Sequence, residues 1–124
     1  WRWVGIYTVS EGRVTNEAWS GPEPPAHTVF PTTAGLTSAA LATQKTVIAD
    51  EVAAEPDYLA NQDGTGSEMI VPVVIDERVV GTLDIESEIP HAFGESDRRQ
   101  AERLAERLRA LWHTAVLDSK ELSV

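Results

Sequence analysis

Two apolar runs, MIVPVVI at 69–75 and VVGTLDI at 79–85, flank Asp76-Glu77-Arg78, and neither alternates apolar with polar residues. A strand with one wet face alternates; a strand that does not is covered on both sides. The pair therefore predicts a central hairpin in a sheet with material on both faces. In 124 residues there is room for one such sheet and its cover. A chain of this size buries roughly two-thirds of its unfolded surface, so a single domain over residues 1–124 is expected.

The remaining segments supply the cover. Residues 1–9 are aromatic and β-branched, with Trp1, Trp3, Gly5 and Tyr7 on one face. Glu11-Gly12 turns the chain back into a second strand over 14–20. Three prolines within 21–25 keep that segment out of any sheet ladder, since proline has no N–H to donate. Residues 27–30 read as a short extended piece ended by Pro31. Residues 35–44, rich in Ala and Leu, predict a helix capped by Thr32 or Thr33, and 46–48 a short strand. Residues 50–66, broken by Pro56 and two glycines, form a long connection of the kind more often functional than shorter ones. From Glu95 the apolar period becomes helical, with Ala101, Leu104, Ala105, Leu108, Leu111, Trp112 and Ala115 in one stripe. Antiparallel strand pairs with helices at intervals make an α+β fold.

Ten basic against twenty acidic residues leave a net charge of −10. Such a surface repels phosphate backbones and anionic lipid, so neither nucleic acid nor a membrane is an expected partner. No apolar run approaches the roughly 18 residues of a membrane span, and no signal sequence precedes the first strand; a cytoplasmic location is expected. The chain has no cysteine, which removes disulfides, thiolate metal sites, thiol catalysis and thioether-bound cofactors. His27, His91 and His113 lack ligand-like spacing, so no metal or cofactor is expected. Ser38, Ser67 and Ser87 have no recognisable nucleophile setting, and GTGS at 64–67 lacks the lysine of a phosphate loop. The segment 95–124 carries six acidic and six basic residues, with Arg98, Arg99, Arg103, Arg107 and Arg109 on one helix. That pattern fits a solvated face laced by Glu95–Arg99 and Arg98–Glu102 pairs. It also fits a helix docking on an acidic surface such as a second copy of the chain, a homodimer.

Three acids stand where acids are costly. Glu68 opens the first apolar run, and Asp84 and Glu86 lie in and just after the second. A carboxylate in a buried strand must be paired, hydrogen-bonded or protonated. Asp84 and Glu86 share a face with Thr82 and Val80. A two-residue turn at Asp76-Glu77 would set Glu68 opposite Ile85, on the other face. An odd-length loop or a bulge would set it opposite Asp84. The second register is expected, because the three carboxylates then surround one cation, a ligand ammonium. Their alternative role is ordinary: strand ends at the surface, or partners for Arg78. Gly35, at the start of the Ala-rich helix, offers backbone amides to an anion. Trp3 and Tyr7 would form either an aromatic wall or core.

The ordered motifs WVGIY (3–7), WSGP (19–22), AGLTSAALATQKTVIADEV (34–52), GSEMIVPV (66–73) and RVVGTLDIESEIPHAFGESD (78–97) resemble a GAF domain. They are most similar to the free methionine-(R)-sulfoxide reductase branch. The resemblance implies a central antiparallel sheet, helices packed on one face, and a ligand pocket on the other under the 50–66 loop. It also implies an acidic ammonium site at Glu68, Asp84 and Glu86, and the aromatic positions of the opening WxGFY motif at Trp3 and Tyr7. The reductases use cysteines at three motif positions, which hold His27, Thr37 and Asn61 here. Their cycle needs a thiolate to attack sulfur and a second thiol to resolve it, so the pocket is expected without that chemistry. Family members carry helical sequence before WxGFY. The expected arrangement here lacks that segment, with residues 112–124 as helix end and tail and the sheet's back covered from elsewhere, for instance by a second subunit.

Three functions compete. A non-catalytic, sensor-type module binding an ammonium-bearing, amino-acid-like small molecule is favoured by an acidic trio without a nucleophile. A ligand-free dimerisation or signal-relay module is favoured by the arginine-rich helix. An enzyme with non-cysteine chemistry would use Asp84 or Glu68 as general base with His27 as partner, and has no activated nucleophile to work with.

Overall fold

The computed structural model describes residues 1–60 and 62–122, with side chains as far as Trp112. Six strands form one antiparallel sheet: β1 (Trp3–Ser10), β2 (Arg13–Ser20), β3 (Val29–Pro31), β4 (Val47–Ala49), β5 (Ser67–Ile75) and β6 (Arg78–Ser87). Their spatial order is β3-β2-β1-β6-β5-β4, which puts the apolar hairpin β5-β6 beside the N-terminal strand at the centre. Two helices, α1 (Thr37–Thr43) and α2 (Glu95–Leu122), complete the α+β fold, with a single 3-10 turn at Val52–Ala54. Among the described residues no helix is long and apolar enough to cross a membrane.

The β5-β6 turn has two residues, Asp76 and Glu77, both at positive φ (51° and 64°), the sense that matches strand twist in tight hairpins. Ile75 pairs with Arg78 and Val74 with Val79, but Val73 pairs with Gly81, so Val80 is an extra residue on β6. Beyond this bulge Glu68 faces Glu86, and Asp84 faces Ile70. The expected pairing of Glu68 with Asp84 is therefore corrected by two positions. The extra residue sits on β6, so the partner moves up that strand. Val80 itself packs with Met69, Leu83 and Ile85 rather than on the acidic face.

Behind the sheet, Met69, Val71, Val73, Ile75, Leu83 and Ile85 meet Ala101, Ala105 and Trp112 of α2. The indole of Trp112 lies on Gly81, where a Cβ would stand 2.0 Å from Nε1. The same N–H donates to the Tyr7 carbonyl at 3.2 Å. Leu111, expected in the buried stripe, is 63% exposed, since at 100° per residue it points about 80° away from Ala101. The side chain of Ala115 lies outside the described residues.

In front of the sheet, Leu36, Ala40, Ala49, Val52 and Ile70 form a second cluster, and Trp3, Tyr7, Val14 and Phe30 a third. The expectation that both helices lie on one face is corrected here. α2 packs behind and α1 in front, because the strip that α1 buries centres on Ile70, which shares the face of Asp84. Neither threonine caps α1: Leu36 holds the N-cap position without a side-chain bond, and Thr32 instead donates its N–H to the Gly12 carbonyl. Leu59 packs against Gly35 at the would-be Cβ position, 3.1 Å away, and the amides of Ser38 and Ala39 are taken by the carbonyls of Gly35 and Leu36. On α2 Glu95 pairs with Arg98 rather than Arg99, while Arg98–Glu102 forms as expected.

The seat of Trp112 on Gly81 carries much of the rear core. Trp112→Ala is expected to cost about 3–5 kcal/mol and Gly81→Ala about 1–3 kcal/mol. Chemical denaturation followed by circular dichroism reads both.

Candidate functional site: a buried carboxylate trio

The centre of the front face is built by three adjacent strands. β1 supplies Trp3, Gly5 and Tyr7, which pair with Glu86, Asp84 and Thr82 of β6. β5 supplies Glu68, opposite Glu86. Because directly paired residues share a face, the ladder brings the two aromatics and all three acids together. Gly5 is required by this packing. A Cβ there would stand 2.2 Å from Cη2 of Trp3, so the indole lies across Gly5, the direct partner of Asp84. Trp3 and Tyr7 stand 6.5 Å apart by ring centroids, and Tyr7 meets Phe30 edge-on at 5.7 Å. The Trp3 indole N–H donates to the Glu23 carbonyl at 3.1 Å, which fixes the ring under the proline-rich loop.

The segment between β4 and β5 closes over the acids. The hydroxyls of Tyr58 and Thr65 reach Glu86 Oε1 at 3.3 and 2.9 Å. Backbone bonds Val52 N–H to the Gly66 carbonyl and Gly66 N–H to the Ser87 carbonyl fasten the segment to the end of β6. Gln62 donates to the carbonyls of Glu23 and Pro24, which ties this cover to the proline-rich loop.

Glu68, Asp84 and Glu86 are 4%, 4% and 1% exposed. One carboxylate oxygen from each lies within 4.8 Å of the others, a spacing that could hold a metal ion. The expectation of no metal was argued from histidine spacing, whereas this constellation is made of carboxylates alone. Asp84 Oδ1, Glu86 Oε2 and Thr82 Oγ1 are buried without a partner. Among the described residues no Lys, Arg or His forms an ion pair with the trio. Burial, then the neighbouring carboxylates, hold Glu68 and Asp84 well above the usual carboxylate range. Burial also raises Glu86, against which the Thr65 and Tyr58 hydroxyls pull downward. Tyr7 and Tyr58 are pushed up by burial and stay neutral phenols.

Sequence reasoning named the trio and the two aromatics, and the fold sets these five residues on one face. His27 is exposed in the loop before β3, Thr37 is buried at the start of α1, and Asn61 lies outside the described residues. Tyr58 and Thr65 were missed. Their signal was available, since hydroxyl donors in a connection otherwise filled with acids and small residues suit a carboxylate below. A groove of about 640 Å³ between β5 and α2 lies on the opposite face. Its Arg98 and Arg109 are paired with glutamates of their own helix, so it offers no concentrated charge.

Residues 1–112 match the family model described as "GAF domain". The Bacillus subtilis (strain 168) protein YtsP is 31% identical over 108 residues, 86% of this chain and 65% of YtsP, so the chain spans under two-thirds of that relative. Among solved structures, type II free methionine-R-sulfoxide reductase of Thermoplasma acidophilum superposes with a TM-score of 0.84 at 31% identity, over 90% of this chain and 79% of its own. Free methionine-R-sulfoxide reductase of Neisseria meningitidis, solved in complex with its substrate, gives 0.84 at 31% identity, over 95% and 71%.

Carboxyls with raised pKa bind protons more tightly folded than unfolded, so they favour folding less as pH rises through the folded values. Asp84→Asn removes one such group. The stability of this variant relative to the parent is therefore expected to increase from about pH 5 upward, by about 1–3 kcal/mol at neutral pH. Urea titrations at a series of pH values measure it, and a pH-independent difference would contradict the burial argument.

Proposed function

The chain belongs to the GAF domain family, and we propose that it is a non-catalytic, sensor-type member whose carboxylate trio takes the ammonium of a small, amino-acid-like molecule. GAF domains commonly bind small molecules and signal. One observation carries the reading: two carboxylate oxygens, Asp84 Oδ1 and Glu86 Oε2, are buried without any donor. An unsatisfied charged acceptor in an interior costs several kcal/mol, and an ammonium brings three donors and a compensating charge. The Thr82 hydroxyl beside them has an unused oxygen as well. Trp3 and Tyr7 flank the acids and supply aromatic faces that attract a cation by about 0.5–2 kcal/mol.

The reading without catalysis rests on the missing thiols. The sequence contains no cysteine, and reduction of a sulfoxide by thiol chemistry needs one thiolate to attack and another to resolve. The neighbour from Neisseria meningitidis holds its substrate. For this chain the resemblance suggests the class of ligand, an amino acid with an ammonium group, and not the turnover. Tyr58 and Thr65 cover the trio from the β4-β5 segment, and their hydroxyls hold Glu86.

A second reading has its own observation. Leu111 projects from α2 with 63% of its surface exposed, a contact point for a ligand-free, dimerising relay module.

A thermal-shift screen of free amino acids, L-methionine sulfoxide included, with polyamines and simple amines decides between them. A ligand at 100 times its dissociation constant adds about 2.7 kcal/mol, a shift of several degrees for a domain of this size. The ammonium reading expects a shift by amines that Glu68→Gln and Asp84→Asn abolish while both variants stay folded. If no amine shifts the parent and its mass rises with concentration, the relay reading takes its place.

A further inference from the structure

We propose that the trio is a proton-for-cation exchange site: the ligand-free domain holds a proton among Glu68, Asp84 and Glu86, and a bound ammonium displaces it. This rests on the ammonium reading above and adds how pH governs that site. The geometry requires a proton. One oxygen from each of the three buried carboxyls lies within 4.8 Å of the others, and carboxylates that close, all ionised, have no donor among them and repel one another.

Among the described residues, no group facing the trio supplies positive charge. From β1 comes Tyr7, and from the covering segment Tyr58, both neutral phenols. The hydroxyls are those of Thr65 and Thr82. α1 and the 3-10 turn present Leu36, Ala40 and Val52, all apolar. Among the described residues no Lys, Arg or His pairs with the acids. Burial raises all three acids above their usual range, in keeping with a stored proton.

An incoming ammonium carries the same single charge as that proton. If both stayed, a carboxylic O–H would point at an N–H donor. If the proton leaves, to solvent and buffer, the enclosed charge is unchanged and the three N–H donors of the ammonium replace its single O–H. The domain then responds to amine and proton as competitors, so its threshold for amine moves with pH. Apparent affinity tightens about tenfold per pH unit while the trio remains protonated.

The test has two arms on the full chain. Carboxyl ¹³C shifts of the ligand-free domain, labelled at Asp and Glu, are followed against pH. Calorimetry with L-methionine sulfoxide and with ethylammonium is run at pH 7 in two buffers of different ionisation enthalpy. A carboxyl of the trio still protonated at pH 7, with about one proton released per amine bound, supports the exchange. In ligand-free Glu68→Gln the remaining carboxyls of the trio should ionise at lower pH than in the parent, and Asp84→Asn serves as a second variant if it does not fold. Three ionised carboxylates in the ligand-free domain, or amine binding without proton release, would overturn the exchange and leave the ammonium reading standing. Binding of neither amine would remove both.

Discussion

Val80, the one residue that β6 carries beyond what β5 pairs, sets which face every side chain above it occupies. A plain two-residue hairpin would set Glu68 opposite Ile85, on the face of Leu83 and Ile85, and would turn Met69 and Val71 toward Asp84 and Glu86. The bulge slides the ladder by one, and because side chains alternate with period two, that slip exchanges the faces of the whole upper strand relative to its partner. It puts Glu68 with Glu86 and Asp84 in front and leaves a purely apolar surface for α2 behind. Val80 pays for its lost ladder position by joining that rear cluster.

The front face then carries an unfavourable load. Three carboxyls are under 5% exposed, and the hydroxyls of Tyr58 and Thr65 both donate to one oxygen, Glu86 Oε1. Such clusters weaken a fold unless protons or a bound cation offset them. The surroundings tolerate the load because the front is split into two apolar clusters around the acids, each with its own support from α1 or from the aromatic group of β1. Among the described residues the rear core is one continuous cluster, separate from the two in front. A stable rear and a strained front are what a binding module built on a rigid sheet would show.

Packing of Trp3 over Gly5 and of Trp112 on Gly81 repeats one device on the two faces. In each case a strand glycine makes a hollow for an indole, and the indole N–H finds a backbone carbonyl. One ring fixes the proline-rich loop over the site, and the other fixes α2 beneath it. Trp112 donates to the carbonyl of Tyr7, so the rear helix is hydrogen-bonded to the strand that carries the front aromatics.

Periodicity and punctuation were enough to place all six strands and both helices in order. Those signals are local: alternation or its absence, proline's missing N–H, and the change to a helical period at Glu95. The acids were legible too, because a charge inside an apolar run is conspicuous. What the linear sequence left open was decided by contacts between distant segments. A bulge was open on the sequence, and Gly81 inside VVGTLDI marks where a strand can carry one, but its place at Val80 was decided by the pairing of β5 with β6. Leu111 looked buried by spacing, but it points about 80° away from Ala101 on α2 and stays 63% exposed. α1 looked like a partner of α2, yet Ile70 drew it to the front. Tyr58 and Thr65 acquired a role only when the 52–66 segment folded onto Glu86. The sequence determined element types and the inventory of charges, which depend on neighbours a few residues away. The tertiary structure decided register, faces and cover, because those depend on which surfaces compete for the same buried area.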